Sequence, residues 1–192
     1  MDFDFKKLRL PLIQSLCVGI ACGFLDFVLS VIFVDVLKLP FYMDCIFTVA
    51  ASFVGILPGL VSAVLVHVFR CFISDTSTLF YIVCSASVVP CVRFFLNRPK
   101  EMPFILAFFL MVAAMSVLIS IEGGIIYKLL FEFVARMETR ATNSMILSLF
   151  INGIPLLLSS IVGRIPVNFF DKLIACIGGY WAARLFVLCY KK

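Results

Sequence analysis

Five polar side chains lie within or beside the long apolar stretches of this sequence, and their types suit the binding of a small solute. They are Asp44, His67, Glu122, Asn152 and Asn168. A carboxylate or amide in an apolar medium is costly unless it finds a partner, so such groups mark functional positions by default. Each falls near a predicted helix break, and broken helices at membrane depth are tolerated where they border a cavity. The set predicts a cavity for a small polar or amphipathic ligand in the outer half of a helical bundle.

Each of these residues also has a structural alternative. Asp44 could be a helix N-cap, and any of the set could make an interhelical hydrogen bond. Arg70 shares a helix face with His67 at a spacing of three, where it could touch the ligand or extend to the membrane interface. Asp26 is expected to be solvated near the far end of the first helix. Asn168 is expected to cluster with Asp171 and Lys172 ahead of the last helix, which Asp171 could cap.

The other chemistry-bearing residues argue against an enzyme. The only histidine is His67, and no nucleophile, base and orienting group occur together. The eight cysteines form no CxxC pair and sit mostly in apolar runs, so we expect buried apolar side chains and no metal or cofactor. No Walker-type phosphate loop is present. The net charge of +5 is spread over loops and termini, which indicates membrane topology and not nucleic-acid binding.

A second pattern consists of small residues at a spacing of four in the first apolar stretch. Ser15, Gly19 and Gly23 form this stripe, and small residues at that spacing let another helix approach closely. The partner helix could belong to this chain or to a separate membrane subunit. Partner docking is the functional hypothesis for the stripe.

The elements that must position these residues are membrane-spanning helices. The sequence is 64% hydrophobic with a mean hydropathy of +1.17, and residues 102–121 and 141–163 contain no charged side chain. About 20 apolar residues in a helix cross a bilayer core of about 30 Å. The sequence predicts an all-α, multi-pass bundle of six, possibly seven, transmembrane helices in a single integral membrane domain over residues 1–192.

The predicted spans are 10–37, 41–56, 58–73, 79–95, 104–121, 143–162 and 170–190, with a turn at Leu57-Pro58-Gly59 and a less apolar helical stretch to Arg136. Lys6, Lys7 and Arg9 predict an uncleaved first span with a cytoplasmic N-terminus in the cell membrane. Arg93, Arg98 and Lys100 predict a second cytoplasmic loop. Seven crossings place the C-terminus outside, whereas six place it inside.

The sequence resembles the substrate-binding membrane subunit, or S component, of energy-coupling factor vitamin transporters. The segment 39–63, LPFYMDCIFTVAASFVGILPGLVSA, is similar to that family's stretch across helices 2 and 3, with an early Asp and a Gly/Pro turn. The small-residue stripe matches the position where the family uses alanines to dock its coupling subunit. The ending RIPVNFFDKLI (164–174) with Gly178-Gly179-Tyr180 is similar to endings of bacterial members.

This resemblance implies a high-affinity binder of a vitamin or other small nutrient. Such a subunit presents its solute to a transmembrane coupling protein and two ATPase subunits, and is not itself an enzyme. The alternatives from other classes are a membrane-embedded sensory module and a structural membrane protein. A neighbouring kinase or cyclase would favour sensing, whereas neighbouring ATPases would favour transport.

Overall fold

The chain folds into packed α-helices, and none of the residues described in the computed structural model forms a β-strand. The described residues are 10–74, 76–99, 101–130 and 140–190. The helices are α1 (Leu12–Ser30, continuing as a π-helix over Val31–Val36), α2 (Ile46–Val54), α3 (Ile56–Cys71), a 3₁₀ helix (Thr76–Tyr81), α4 (Ile82–Ala86), α5 (Val88–Leu96), α6 (Phe104–Leu129), α7 (Arg140–Ile151), α8 (Leu156–Val162) and α9 (Ile165–Tyr190). The all-α prediction is confirmed.

Within the described ranges, four helical stretches are long and apolar enough to cross a membrane. They are Leu12–Val36, Thr76–Leu96, Phe104–Leu129 and Leu156–Tyr190, while Ile56–Cys71 and Thr142–Ile151 are apolar but shorter. The predicted count of six or seven spans is therefore not established by helix length. The N-terminal lysines, Lys100, and the stretch around Arg136 lie outside the described residues.

The small-residue stripe of α1 is buried against α3 of the same chain. A Cβ added to Gly19 would lie 2.7 Å from Val61 Cβ, and one added to Gly23 would lie 2.9 Å from Leu65 Cβ. These contacts also show that α1 and α3 run parallel. The stripe is occupied by the chain's own helix, which corrects its assignment as a surface for a separate subunit.

The N-terminus of α2 is capped by a carboxylate from another helix. Asp26 in α1 accepts hydrogen bonds from the backbone N–H groups of Phe47 (2.8 Å) and Thr48 (2.6 Å). Unpaired N–H groups at a helix start need such acceptors. Asp26 is fully buried and not solvated as expected. Asp44 is not the cap, because Cys45 occupies the N-cap position of α2. The Cys45 side chain makes no capping hydrogen bond either.

The break between α2 and α3 lies at Gly55, three residues before the predicted Pro-Gly turn. Gly55 is extended, with φ −174° and ψ 164°, and Pro58 and Gly59 belong to the first turn of α3. Proline is tolerated there because the first N–H groups of a helix have no intrahelical acceptor. Gly59 is required by packing, since a Cβ at this position would lie 3.1 Å from Ser52 Cα.

Two predicted elements at the other end of the bundle differ in their continuity. Helix α6 runs unbroken through Gly123 and Gly124 to Leu129, so the apolar span to residue 121 and the predicted less apolar stretch after it form one helix. Gly124 packs closely against Ile161 of α8. The predicted span 143–162 is broken into α7 and α8, with Gly153 in the left-handed region at φ +88° between them. At about 1.5 Å per residue, neither helix alone crosses the bilayer core.

Helix α9 begins at Ile165, five residues before the predicted start at 170. Pro166 falls in its first turn, where a missing N–H is harmless. Asn168, Asp171 and Lys172 therefore lie inside the helix, and Asp171 does not cap it as proposed. Instead, its Oδ1 accepts a hydrogen bond from the backbone N–H of Met43 at 2.9 Å.

The bundle has two ends of different character. At one end, Phe53 packs against Phe95 and Tyr180 at centroid distances of 6.2 and 5.8 Å. The start of α1 and the end of α9 meet at the same end, where the Tyr190 hydroxyl donates to Gln14 Oε1 at 2.9 Å. The opposite end holds most of the buried charge.

Candidate functional site

A polar cavity of about 100 Å³ lies between α1, α3, α4, α6 and α9, at the end of the bundle opposite the Gln14–Tyr190 contact. One water needs roughly 10–15 Å³ by a comparable measure, so the space holds several waters or a small organic group. Its polar lining comes from Ser30, Tyr42, Asp44, His67, Arg70, Thr78, Tyr81, Ser85, Arg164, Asn168 and Lys172. The apolar helices thus enclose charged groups from three different parts of the chain, around residue 44, in α3 and at the start of α9.

The ammonium of Lys172 is the centre of one buried cluster. Its Nζ lies 2.7 Å from Asp171 Oδ2, 3.6 Å from Asp44 Oδ1 and 3.0 Å from Cys45 Sγ. Both Asp171 and Lys172 are buried, so each charge is stabilised by the other and not by water. The ligand-type atoms of Asp44, Cys45 and Asp171 also lie within 4.8 Å of one another. Because Lys172 contacts all three, it supplies the cation that a metal would otherwise provide.

Arg70 occupies a second position on the cavity wall. Its Nη1 donates to Ser30 Oγ and lies 3.4 Å from Asp35 Oδ2. The side chain of Asp35 is 41% exposed, whereas that of Arg70 is 13% exposed. The guanidinium is therefore mostly buried and lines the cavity, next to a more exposed carboxylate.

His67, one helical turn before Arg70, is almost completely buried. Its Nε2 makes a 2.7 Å hydrogen bond with Ser85 Oγ of α4. Among the described residues, no hydrogen-bond partner is present for its Nδ1. A buried nitrogen without a partner is destabilising, so this ring offers a polar contact that the protein itself leaves unmade.

Helix α9 presents a ladder of polar groups to the cavity. Arg164, Asn168 and Lys172 follow one another at a spacing of four, which places them on one helix face over about 12 Å. The Arg164 guanidinium carbon lies 4.8 Å above the Tyr127 ring, and its Nη1 donates to the Ser160 carbonyl at 3.2 Å. Asn168 Nδ2 donates to Ser120 Oγ at 2.9 Å. These contacts hold the ladder in a fixed orientation.

Three of the five residues proposed from the sequence line this cavity, namely Asp44, His67 and Asn168. Glu122 stands next to the cavity-lining Gly123, and its Oε1 accepts a hydrogen bond from Ser87 Oγ at 2.6 Å. Asn152 lies apart on the exposed turn between α7 and α8, where its Nδ2 donates to the Ser148 carbonyl at 2.7 Å. A shared cavity that includes Asn152 is therefore corrected, because the helix breaks there and turns the amide outward.

Sequence reasoning missed Arg164 and Lys172 as cavity residues. The signal was the spacing of four between Arg164, Asn168 and Lys172, which places the three on one face only if the helix reaches back to Ile165. Treating Pro166 as a helix breaker concealed that face.

In comparisons with known proteins, no family model, curated protein or solved structure matches this sequence. The geometry of the cavity is therefore the main guide to the function of this chain.

Proposed function

We propose that this chain is a multi-pass membrane protein that binds a small solute in the polar cavity. The observation that carries the proposal is the enclosure of Asp44, His67, Arg70 and Lys172 around open space inside an apolar helical bundle. Buried charges in an apolar medium are expensive, and they are typical of solute and ion sites in membrane proteins. Pairs such as Lys172 with Asp171 offset part of that cost but do not explain the space beside them.

The directions of the helices support a topology of six segments. Helix α1 runs parallel to α3, and α6 runs antiparallel to α9, since Ser120 meets Asn168 while Met115 meets Cys176. In this arrangement α1, α3 and α6 cross in one direction, whereas α2, α4–α5 and α9 return. The α7–α8 pair covers the end near the cavity. With a cytoplasmic N-terminus, Arg98 and Tyr190 also lie on the cytoplasmic side, as the positive-inside rule prefers, and the cavity faces outward.

The specific role we propose is that of the substrate-binding subunit of an energy-coupling factor importer. The supports are the sequence resemblance, the six-segment arrangement and a cavity near the outer face. The sequence carries no Walker-type loop, so ATP hydrolysis falls to separate ATPase subunits that act through a membrane coupling protein. Since the small-residue stripe is covered by α3, another surface must contact that coupling protein.

The test is purification of the tagged full chain from its native membranes. We expect a membrane coupling protein and ATPases to co-purify, with ATP hydrolysis in the eluate. A cavity variant, His67→Phe, should retain these partners while losing solute uptake, because the ring volume is kept and both nitrogens are removed. Co-purification of a kinase or cyclase in place of ATPases would establish a sensor, and the absence of any such partner would overturn the importer role.

A further inference from the structure

We infer that the solute is uncharged and that one of its polar groups, an amide or a hydroxyl, forms a hydrogen bond with Nδ1 of His67. This inference rests on the proposed function of the cavity as a solute site, and it names the chemical class of the solute. Two observations carry it: a buried nitrogen of His67 without a partner, and the balance of charge around the cavity.

The His67 side chain lines the cavity and is only 4% exposed. Its Nε2 already makes a 2.7 Å hydrogen bond with Ser85 Oγ, whereas its Nδ1 is buried and has no partner within the described part of the chain. In a neutral imidazole one nitrogen donates and the other accepts. A solute group that can do both, such as an amide or a hydroxyl, therefore suits Nδ1 in either tautomer.

The charged groups of the cavity are matched in number by opposite charges. Three cationic side chains line it, and three carboxylates of the described chain contact two of these cations. Lys172 contacts Asp44 and Asp171, and Arg70 contacts Asp35. An ionic solute would disturb this balance and lose its own hydration, whereas a neutral solute needs only hydrogen bonds.

The carboxylates nearest to the cavity favour neither an anion nor a cation. Asp26 and Glu122 do not line it, and each is held by hydrogen bonds, Asp26 at the start of α2 and Glu122 by the Ser87 hydroxyl. Their negative charge opposes an anionic solute. Among the described residues that do line the cavity, Asp44 is the only carboxylate, and it already lies 3.6 Å from Lys172 Nζ.

The rest of the polar lining suits an uncharged solute. Five hydroxyls contribute to it, from Ser30, Tyr42, Thr78, Tyr81 and Ser85. A hydroxyl donates one hydrogen bond and can accept two, so it can bind a solute while keeping a partner in the protein. The cavity therefore matches a small molecule with several uncharged polar groups.

The experiment measures thermal unfolding of the purified full chain with acetamide, acetate or acetamidinium at constant ionic strength. These planar probes have nearly the same shape and are neutral, anionic and cationic, respectively. We expect acetamide to raise the melting temperature and to bind at least about tenfold more tightly than either ion, because each ion loses hydration that the cavity does not replace. This comparison uses the unmodified chain and does not depend on the folding of a variant.

Two substitutions of His67 separate the roles of its nitrogens. Glutamine keeps a polar group near the position of Nε2, which contacts Ser85, whereas asparagine keeps one near the position of Nδ1. His67→Gln should weaken acetamide binding about tenfold, the effect of one hydrogen bond, and His67→Asn should lose less. Asn152→Ala is the matched control, because its amide lies on an exposed turn outside the cavity.

Tighter binding of acetate or acetamidinium than of acetamide would overturn the uncharged class. Acetamide binding that is equal in His67→Gln, or absent from the unmodified chain, would overturn the contact at Nδ1. Recovery of a charged solute together with co-purified ATPases would refute this inference and leave the importer role intact. Acetamide binding that depends on His67, in a chain without ATPase partners, would support the uncharged site and refute the importer role.

Discussion

The carboxylate of Asp26 in α1 accepts two hydrogen bonds from Thr48 of α2, one from the backbone N–H at 2.6 Å and one from the hydroxyl at 2.8 Å. The same hydroxyl lies 2.8 Å from Ser62 Oγ of α3. One buried carboxylate thus joins the first three helices. Because α2 leads out of the segment that carries Asp44, this junction also fixes one wall of the cavity.

Replacing Asp26 by alanine should destabilise the whole chain. The substitution removes the cap of α2 and leaves buried N–H groups without an acceptor, a loss of about 2 kcal/mol or more in the free energy of unfolding. Thermal unfolding of the purified protein measures it. Asp35→Asn is the control, because the Asp35 side chain is 41% exposed and its ion pair with Arg70 should contribute about 1 kcal/mol or less. Equal losses from both variants would contradict the capping role.

The Gly19→Leu substitution tests the position of the small-residue stripe. A Cβ at Gly19 meets Val61 at 2.7 Å, so a leucine must separate α1 from α3 and should lower stability by roughly 1–3 kcal/mol or more. Ala21→Leu, on an exposed face of the same helix, should change stability little. If Gly19→Leu leaves the monomer intact but abolishes association with another subunit, the stripe is a docking surface after all.

Removal of the Lys172 charge should be strongly destabilising. Lys172→Met leaves the buried Asp171 and the adjacent Asp44 without their cation, and breaking a buried pair in this way costs about 3–5 kcal/mol. Adding Asp171→Asn to the same chain should recover part of that loss, since it removes one of the uncompensated charges. A double variant that is no more stable than Lys172→Met alone would show that the pair is not energetically coupled.

The all-α fold class and several helix boundaries could be predicted from the sequence, because they depend on local composition. The first helix was predicted over 10–37, and it covers Leu12–Val36 with its π-helical end. Boundaries failed where proline or glycine had a different role from the usual one. Pro58 and Pro166 each lie in a first turn, where a missing N–H does no harm, so neither ends a helix.

The candidate site was only partly accessible. Asp44, His67 and Asn168 stand out because polar groups are rare in apolar runs, and that signal needs no tertiary information. The pairing of Lys172 with residues near position 44, more than 120 positions away, depends on how α9 packs against α2. The sequence places Asn152 beside a predicted helix break, but the direction in which the broken helix turns the amide depends on tertiary packing. No local pattern specifies that direction or the long-range pairing of Lys172.

The proposed topology predicts which end of the bundle faces the cytoplasm. A cysteine at Asn97, in the loop after α5, should react with a membrane-impermeant thiol reagent only after permeabilisation. A cysteine at Ser74, beyond Arg70 at the cavity end of α3, should react in intact cells. Both single-cysteine variants are made in a chain in which the exposed Cys17 and Cys189 are replaced by serine, so that these native thiols do not react. The reverse labelling pattern would place the cavity on the cytoplasmic side.

The central claim is that a small solute occupies the cavity between α3 and α9. Its most direct test is mass spectrometry of the small molecules released from the purified full chain, comparing the unmodified protein with His67→Phe and with Asn152→Ala. We expect one solute in near-equimolar amount from the unmodified protein and from Asn152→Ala, whose amide is exposed and outside the cavity. From His67→Phe the retained amount should fall by about tenfold, as expected for the loss of a buried hydrogen bond. No retained solute, or equal retention by folded His67→Phe, would contradict the account.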